Sequence, residues 1–214
     1  MSASPQSGPS YPSAPLILAS GSAIRRDIMS GAGLDFEVIV KPVDEAAIKT
    51  AMLSEGARPR EIADALAEAK ALRVSRALMM EGRSGLVIGA DQVMVMDDVL
   101  FDKPVSVEAA RDRLKAMRGE RHELVGSVVV ARDGTPVWRH VSETRLWMRD
   151  FSDAFLEDYL SREGDLVTKS VGAYRFEGPG AQLFTKVEGD FFSILGLSLL
   201  PLLQYLRDCG AVAT

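Results

Sequence analysis

The chain has 214 residues, 47% of them hydrophobic and 26% charged, which is enough for one globular domain or two closely packed lobes. This composition excludes a disordered, collagen-like or repeat protein. The net charge of −5 argues against a nucleic-acid polymer as partner, because such a partner requires a clustered basic surface. The single cysteine, Cys209, permits neither an intrachain disulfide nor a thiolate metal cluster.

The ends of the chain differ in composition from its middle. Residues 1–15 are rich in Ser and Pro and lack the basic start and apolar stretch of a signal peptide, so a flexible tail is predicted there. A globular domain is predicted over residues 16–210, and a short tail over 211–214. The longest uncharged apolar run, residues 191–206, is shorter than the roughly 20 residues of a membrane-spanning helix. We therefore expect a cytoplasmic protein without membrane contact.

Strands and helices are predicted to alternate early in the chain and then to give way to a long hairpin. In chain order the predicted elements are a strand over 16–19, a helix ending near Gly31, a strand over 36–40, a polar loop over 41–45, a helix from Pro59 to Gly82, a strand over 86–90 extended to Met96, a helix over 106–117, a hairpin of 122–131 with 137–148, a helix over 152–162, a strand at Tyr174, a Gly-rich turn over 177–180, a strand over 183–187 and a helix over 198–208. This order predicts an α/β fold with a mixed central sheet and flanking helices.

Three cationic side chains occupy positions suited to phosphate. Arg25 and Arg26 lie one turn into the helix that follows Ser22, where free backbone N–H groups and the helix dipole already favour an anion. A solvated helix start with surface arginines is the alternative. Lys70 falls on the apolar stripe of the longest helix, so its ammonium must either extend to solvent or meet an anion.

Two carboxylates are candidates for catalysis and metal binding. Asp91 directly follows an apolar strand, and ligands of open α/β sheets gather at the carboxyl ends of strands. A helix cap or a buried salt bridge is the alternative role for Asp91. Glu45, in a polar loop, could join Asp91 as an oxygen ligand of Mg²⁺, with phosphate oxygens and water completing the octahedron.

The Gly-rich turn over residues 177–180 would let a backbone approach a flat ligand closely, although a plain hairpin turn explains it equally well. The chain lacks the GK[ST] and GxGxxG patterns of nucleotide-binding loops. It also lacks a deaminase zinc signature and the Ser-centred elbow of hydrolases. Lys103-Pro104 is by itself an ordinary loop pair, and His122 is expected to be structural.

Taken together and in order, these motifs resemble the Maf family over almost the whole range from Leu16 to Gly210. The matching positions are Leu16 to Ser20, Ser22, Arg25-Arg26, Asp44-Glu45, Ala69-Lys70-Ala71, Ala90-Asp91-Gln92-Val93, Lys103-Pro104, Gly119, His122, Gly172-Ala173-Tyr174, Glu177-Gly178-Pro179-Gly180-Ala181, Glu188-Gly189-Asp190 and Gly196-Leu197. No single motif is specific, whereas the ordered set is.

The resemblance implies a function and an architecture. Maf proteins, once named for septum formation, are nucleoside triphosphate pyrophosphatases that release pyrophosphate and a nucleoside monophosphate with a divalent metal, here Mg²⁺ or Mn²⁺. They have a mixed α/β fold with a cleft between two lobes, and they are commonly dimeric, so a homodimer is an expectation for this chain as well.

The resemblance also implies roles for individual residues. Asp91 would be the proton acceptor that activates water for attack at the α-phosphorus, and Glu45 would join it in positioning the metal. The residues expected to hold the triphosphate are Ser22, Arg25, Arg26, Lys70 and Lys103.

Base choice is linked in the family to the positions of Ile24, Gln92 and Glu177. Gln92 and Glu177 resemble the 7-methyl-GTP pyrophosphatase branch, and a carboxylate could accept from the N1 and N2 donors of a cationic guanine. Ile24 matches neither this branch nor the dTTP/UTP branch, so a dTTP/UTP pyrophosphatase stays an alternative. A further alternative is a non-catalytic nucleotide-binding regulator of septum formation, which the intact set of acidic and basic residues disfavours. Another is a nucleotidyltransferase, which is disfavoured because the sequence shows no acceptor-site pattern.

Overall fold

The computed structural model describes residues 14–213. Most of the predicted N-terminal tail and Thr214 lie outside the described residues. The strands of the described part are, in chain order, β1 Leu16–Leu18, β2 Glu37–Val38, β3 Leu86–Met96, β4 Val99–Phe101, β5 Arg121–Arg132, β6 Thr135–Met148 and β7 Phe184–Glu188.

The helices of the described residues are α1 Ala23–Gly31, α2 Glu45–Ser54, α3 Pro59–Met80, α4 Val107–Met117, α5 Asp153–Glu163, α6 Phe191–Ile194 and α7 Leu199–Asp208. Two short 3₁₀ helices, Gly164–Thr168 and Pro179–Leu183, lie between α5 and β7. Several helices begin where the sequence offers a cap. Pro59 is the first residue of α3, and the hydroxyl groups of Ser106 and Ser152 accept from the first turns of α4 and α5.

The strands form one sheet in the order β2-β1-β3-β5-β6-β7, with β4 paired to β3. β1 pairs in parallel with both β2 and β3, whereas β4 runs antiparallel to β3 and β7 runs antiparallel to β6. The sheet is therefore mixed, which confirms the predicted α/β class. β5 and β6 are neighbours joined across Asp133-Gly134, as predicted for the hairpin.

The described residues divide into two compact units. The first contains the residues up to 91, residues 127–141 and the residues from 196 onward, and the second contains residues 92–126 and 142–195. No helix of the described residues has both the length and the apolar character needed to cross a membrane.

In the first unit, helix α3 packs directly against strand β3 at Gly89. A Cβ at this glycine would lie 2.3 Å from the carbonyl oxygen of Ala67 and 2.7 Å from the amide nitrogen of Ala71. Both contacts are with helix backbone, which cannot move aside as a flexible side chain can. Gly89 therefore lets the two elements approach closely. The contact lies two residues before Asp91 on β3 and next to Lys70 on α3, since Lys70 directly precedes Ala71.

We expect Gly89→Ala to lower the free energy of unfolding by about 1–3 kcal/mol, the usual cost of overpacking. Urea unfolding of the variant measures this cost. The matched control is Gly31→Ala at the end of α1, where a Cβ would meet nothing within 4 Å. Alanine there should raise stability by about 0.5–1 kcal/mol. Equal stability of Gly89→Ala and wild type would show that α3 and β3 can separate without cost.

The second unit has its own apolar core beneath α4 and α5. It contains Met94 from β3, Leu114 from α4, Leu146 from β6 and Leu156 from α5, all fully buried. Tyr174 is buried in the same cluster, and its hydroxyl lies 2.7 Å from Nε2 of buried His122. This core holds the segments that carry Lys103 and Glu177.

The structure corrects three of the predicted elements. Residues 36–40 contribute only the two-residue strand Glu37–Val38. Glu45 is not in a loop but is the first residue of α2, which was not predicted because α2 buries no residue and so has no apolar stripe to detect. Tyr174 is not in a strand. Its backbone closes a tight loop instead, since Ser170 Oγ accepts from Tyr174 N–H and donates to Tyr174 C=O.

Candidate active site

Asp91 is the sixth residue of β3, so it lies within the strand and not at its carboxyl end as predicted, whereas the predicted extension to Met96 is confirmed. The strand continues because Met94 to Met96 pair with β4. The Asp91 side chain is only 10% exposed. A carboxylate at this depth loses most of its hydration and needs a charged or hydrogen-bonding partner.

Lys70 provides that partner. Its Nζ lies 2.5 Å from Oδ1 of Asp91 and 3.1 Å from Oε1 of Glu45. The Lys70 side chain is 16% exposed and that of Glu45 46% exposed, so the three groups run from the protein interior toward solvent. Lys70 comes from α3, and Glu45 comes from the start of α2, where Asp44 caps the helix by accepting from Ala47 N–H. The ammonium of Lys70 thus meets anions, one of the two alternatives that its sequence position allowed.

Arg25 reaches the same region from the first turn of α1. Its Nε donates to the carbonyl of Gly196 at 2.8 Å, and its Nη1 donates to the carbonyl of Ala90 at 2.8 Å and to Ser20 Oγ at 3.2 Å. Gly196 can offer its carbonyl because its φ of +96° is open to glycine and because a Cβ there would come 3.4 Å from Arg25 Nη2. These neutral acceptors orient the guanidinium without neutralising it.

The charges around Arg25 act in opposite directions. Burial lowers the pKa of Arg25, while the negative charges of Asp91 and Glu45 raise it and only partly offset the burial. Arg25, Lys70, Asp91 and Glu45 form a cluster of two cations and two anions that carries no net charge. We call these four residues the charged cluster.

The remaining candidate residues of the first unit lie along the start of α1. Ser22 is the N-cap, but its side chain makes no capping hydrogen bond, so its hydroxyl is not used by the helix. Arg26 is exposed, and Ile24 is half-buried. The free N–H groups of this first turn and the exposed guanidinium of Arg26 suit an anion.

Lys103 belongs to the second unit, in the loop between β4 and α4. It is exposed, and Pro104 after it is buried. Arg113 of α4 holds this loop, because its Nη1 donates both to the carbonyl of Asp102 and, at 2.6 Å, to the carbonyl of Val171. Arg113 therefore ties the Lys103 loop to the segment that leads to Glu177, and burial lowers the pKa of its guanidinium.

Gln92 is oriented by main-chain acceptors within the second unit. Its Nε2 donates to the carbonyl of Ser193 at 2.7 Å and approaches the carbonyl of Ile194 at 3.4 Å. These carbonyls belong to α6, which is capped by Asp190 through contacts to the N–H and hydroxyl of Ser193. Because the amide nitrogen is engaged, Gln92 offers its oxygen, an acceptor, to a ligand.

Glu177 is the other acceptor of the second unit. Its Oε1 accepts from Arg175 Nε at 3.1 Å, and its side chain is 26% exposed. It lies in a turn that continues into the 3₁₀ helix Pro179–Leu183, so the Gly-rich segment is more than a plain hairpin turn.

Sequence reasoning missed the groups that hold these side chains in place. Arg113 and Arg175 carried no pattern that separated them from surface arginines. The carbonyls of Ala90 and Gly196 belong to motifs that the sequence resemblance included, but a carbonyl's partner leaves no local signal. Of these two residues, Gly196 gave an indirect signal by its residue type, because a glycine often marks a backbone position with a positive φ.

His122 is structural, as expected. Burial lowers its pKa to about 4. Burial also raises the pKa of Tyr174, its hydrogen-bond partner. Both groups are therefore neutral at physiological pH and serve the core of the second unit.

All of these residues lie within the part of the chain that matches a known protein family. The family described as Maf-like protein matches residues 15–209. A relative from Caulobacter vibrioides named nucleoside triphosphate pyrophosphatase is 50% identical over 198 residues, covering 92% of this chain and 97% of the relative. A relative of the same name from Granulibacter bethesdensis is 50% identical over 197 residues, covering 92% of this chain and 98% of the relative. A relative from Brucella suis named 7-methyl-GTP pyrophosphatase is 45% identical over 192 residues, covering 90% of this chain and 94% of the relative.

Proposed function

The chain belongs to the Maf family, and on that basis we propose that it is a nucleoside triphosphate pyrophosphatase. The reaction converts a nucleoside triphosphate and water into a nucleoside monophosphate and pyrophosphate. The observation that carries this proposal is the charged cluster, in which a nearly buried Asp91 is held by Lys70 beside Arg25. A carboxylate of this kind is suited to proton transfer, and the adjacent cations are suited to phosphate.

Asp91 acts as the proton acceptor. Its Oδ1 contacts Lys70, and its second carboxylate oxygen takes a proton from the attacking water. The water oxygen bonds to the α-phosphorus as the bond from that phosphorus to the α–β bridging oxygen breaks. Pyrophosphate leaves with the bridging oxygen and its electron pair. The contact to Lys70 fixes the orientation of the carboxylate throughout.

The cations hold the triphosphate and offset its charge. Lys70 and Arg25 are fixed by their partners in the charged cluster, and Arg26 at the start of α1 is exposed. Lys103, also exposed, is a further phosphate-binding residue implied by the family resemblance. Ser22 and the N–H groups at the start of α1 add hydrogen-bond donors. Phosphoryl transfer depends chiefly on such positioning and charge neutralisation.

A divalent metal fits the cluster. The described residues contain no group of three or more His, Cys, Asp or Glu that could hold a metal by themselves. Mg²⁺, however, is commonly bound by one or two carboxylates together with substrate phosphates and water, and Mn²⁺ accepts similar oxygen ligands. Glu45 and Asp91 would be those carboxylates, each through the oxygen that does not contact Lys70. On Asp91 that oxygen has two lone pairs, one for the metal and one for the proton of the attacking water. When bound, the metal would supply the positive charge that the neutral cluster lacks toward a triphosphate.

The proposed substrate is a guanine nucleotide of the 7-methyl-GTP type. Gln92 and Glu177 both offer acceptors, Gln92 because its nitrogen is engaged and Glu177 because it is a carboxylate. Guanine offers adjacent donors at N1 and N2, whereas uracil and thymine offer one donor between two acceptors. Methylation at N7 adds a positive charge that a carboxylate favours. This supports 7-methyl-GTP over UTP or dTTP, in agreement with the name of the Brucella suis relative.

A panel of nucleoside triphosphates tests the proposal. The purified chain is assayed for pyrophosphate release from 7-methyl-GTP, GTP, UTP and dTTP with Mg²⁺ or Mn²⁺, and without metal as the control. Release of pyrophosphate from 7-methyl-GTP with the highest kcat/KM is expected. Preference for UTP or dTTP would overturn the proposed substrate but not the reaction. Nucleotide binding without any release would support a non-catalytic regulator.

We expect Glu177→Gln to reduce the preference for 7-methyl-GTP over UTP by about tenfold. A charged acceptor bonds the donors of a cationic base more strongly than a neutral amide does. The ratio of the two kcat/KM values measures this effect. Glu157→Gln on α5, which removes an exposed carboxylate paired with Arg111, is the matched control and should leave the ratio unchanged. A parallel loss of both activities in Glu177→Gln would mean that Glu177 only shapes its turn.

A further inference from the structure

Arg175 lies between two carboxylates of the second unit. Its Nε donates to Oε1 of Glu177 at 3.1 Å, and its Nη1 donates to Oε2 of Glu163 at 3.4 Å. The two carboxylates differ in burial. The Glu163 side chain is 5% exposed, whereas that of Glu177 is 26% exposed and faces solvent in part. Arg175 therefore links a fixed internal carboxylate to a more accessible one.

Glu163 gives this link its rigidity. It is the last residue of α5, so its backbone is part of a regular helix. A carboxylate buried to this degree is costly without a cationic partner. Arg175 provides that partner, so its guanidinium is drawn to one place. The nitrogen that contacts Glu177 is fixed by the same interaction.

The backbone of Arg175 is also held firmly. A Cβ at Gly180 would lie 2.4 Å from the carbonyl oxygen of Arg175 and 2.8 Å from its amide nitrogen, so the Gly-rich segment packs directly on the Arg175 main chain. Gly178 N–H donates to the same carbonyl at 3.2 Å. On the other side, Tyr174 is fixed by its two hydrogen bonds to Ser170. Side chain and main chain together leave Arg175 little freedom.

From this arrangement we propose that Arg175, held by Glu163, is a positioning residue that orients Glu177 for selection of the base. The proposal rests on the proposed function, because it concerns the substrate preference of that reaction. Arg175 does not itself contact the base. It donates to one oxygen of Glu177 and thereby fixes the direction in which the remaining acceptor sites point.

If Arg175 acts by orienting Glu177, the expected change in substrate preference differs from the change expected if only the positive charge of Arg175 matters. Fixing a side chain with several rotamers before binding saves an ordering cost equivalent to about two- to tenfold in affinity. Loss of that orientation weakens GTP and 7-methyl-GTP together relative to UTP. Loss of the arginine charge alone would instead favour the cationic 7-methyl-GTP over neutral GTP. The two guanine substrates therefore separate the two effects.

The test uses Arg175→Gln and Arg175→Lys, with kcat/KM for 7-methyl-GTP, GTP and UTP. Lysine keeps the charge but not the planar set of donors. We expect both variants to lower the GTP-to-UTP ratio by about two- to tenfold. Arg162→Gln on α5, which removes an exposed arginine paired with Asp158, is the matched control. It should leave the ratio unchanged.

A double-mutant cycle identifies the route of the effect. If Arg175 acts through Glu177, Arg175→Gln changes no substrate ratio in the Glu177→Gln background. Thermal unfolding checks the fold of each variant. If Arg175→Gln alone is unstable, the double variant Arg175→Gln with Glu163→Gln replaces it in the assays, because the double variant leaves no unpaired buried carboxylate. An equal effect of Arg175→Gln in both backgrounds, or a rise in the 7-methyl-GTP-to-GTP ratio with GTP-to-UTP unchanged, overturns the proposal. A wild-type chain that releases no pyrophosphate overturns the proposed function itself.

Discussion

Asp91→Asn is expected to lower kcat by about 10²-fold or more while the fold survives. General-base catalysis contributes rate factors of roughly 10²–10⁴, and an amide cannot take the proton of the attacking water. The substitution is nearly isosteric, and the side-chain oxygen can still accept from Lys70, which lies 2.5 Å from Oδ1. Substrate affinity should change far less than turnover. Pyrophosphate release under saturating substrate measures the effect, and the thermal midpoint checks the fold.

Asp64→Asn is the matched control for this experiment. Asp64 lies on α3 of the same unit, where it accepts from Ser127 Oγ at 2.9 Å and pairs with Arg139. Its substitution also replaces a paired carboxylate with an amide, but outside the charged cluster, so kcat should stay within about twofold, as for most substitutions away from a site. A folded Asp91→Asn protein with wild-type kcat would remove Asp91 from the mechanism.

Lys70→Met is expected to lower both stability and activity. It retains the apolar stem but removes the ammonium, which leaves Asp91 at 10% exposure without its cation. Removing one partner of a fully buried pair costs about 3–5 kcal/mol, and the partial exposure of this pair reduces the expected loss to about 2–4 kcal/mol. Urea unfolding measures this loss. Arg73→Met, an exposed cation one turn further along α3, should change stability by less than about 0.5 kcal/mol.

The double variant Lys70→Met with Asp91→Asn separates the two roles of Lys70. Removing both charges leaves no unpaired buried carboxylate, so most of the lost stability should return. Activity should not return, because the proton acceptor and one phosphate-binding cation are both missing. Recovery of neither stability nor activity would mean that Lys70 acts on the fold through contacts other than its pair with Asp91.

Features that depend on a few neighbouring residues were predictable from the sequence alone. Pro59 and the apolar spacing of α3 predicted the longest helix and placed Lys70 on its inner stripe. The run from Leu86 to Ala90 predicted a buried strand leading to Asp91. The helix starts predicted at Ser106 and Ser152 are confirmed, and both hydroxyl groups cap their helices. Each signal is a period or a cap within one or two turns of chain, where local sterics and hydrogen bonding decide the outcome.

Which of these side chains meet, and which atoms each can offer a ligand, depends on contacts between distant segments of the chain. Lys70 and Asp91 are 21 residues apart in the chain, and Arg25 is 65 residues from Ala90 and 171 from Gly196. Such contacts follow from the order of strands in the sheet and from the close approach at Gly89, which local periodicity does not encode. The same holds for Gln92, whose amide direction is set by the carbonyls of α6 about 100 residues later. Sequence therefore predicted the chemical groups, and packing between distant segments fixed their partners and orientation.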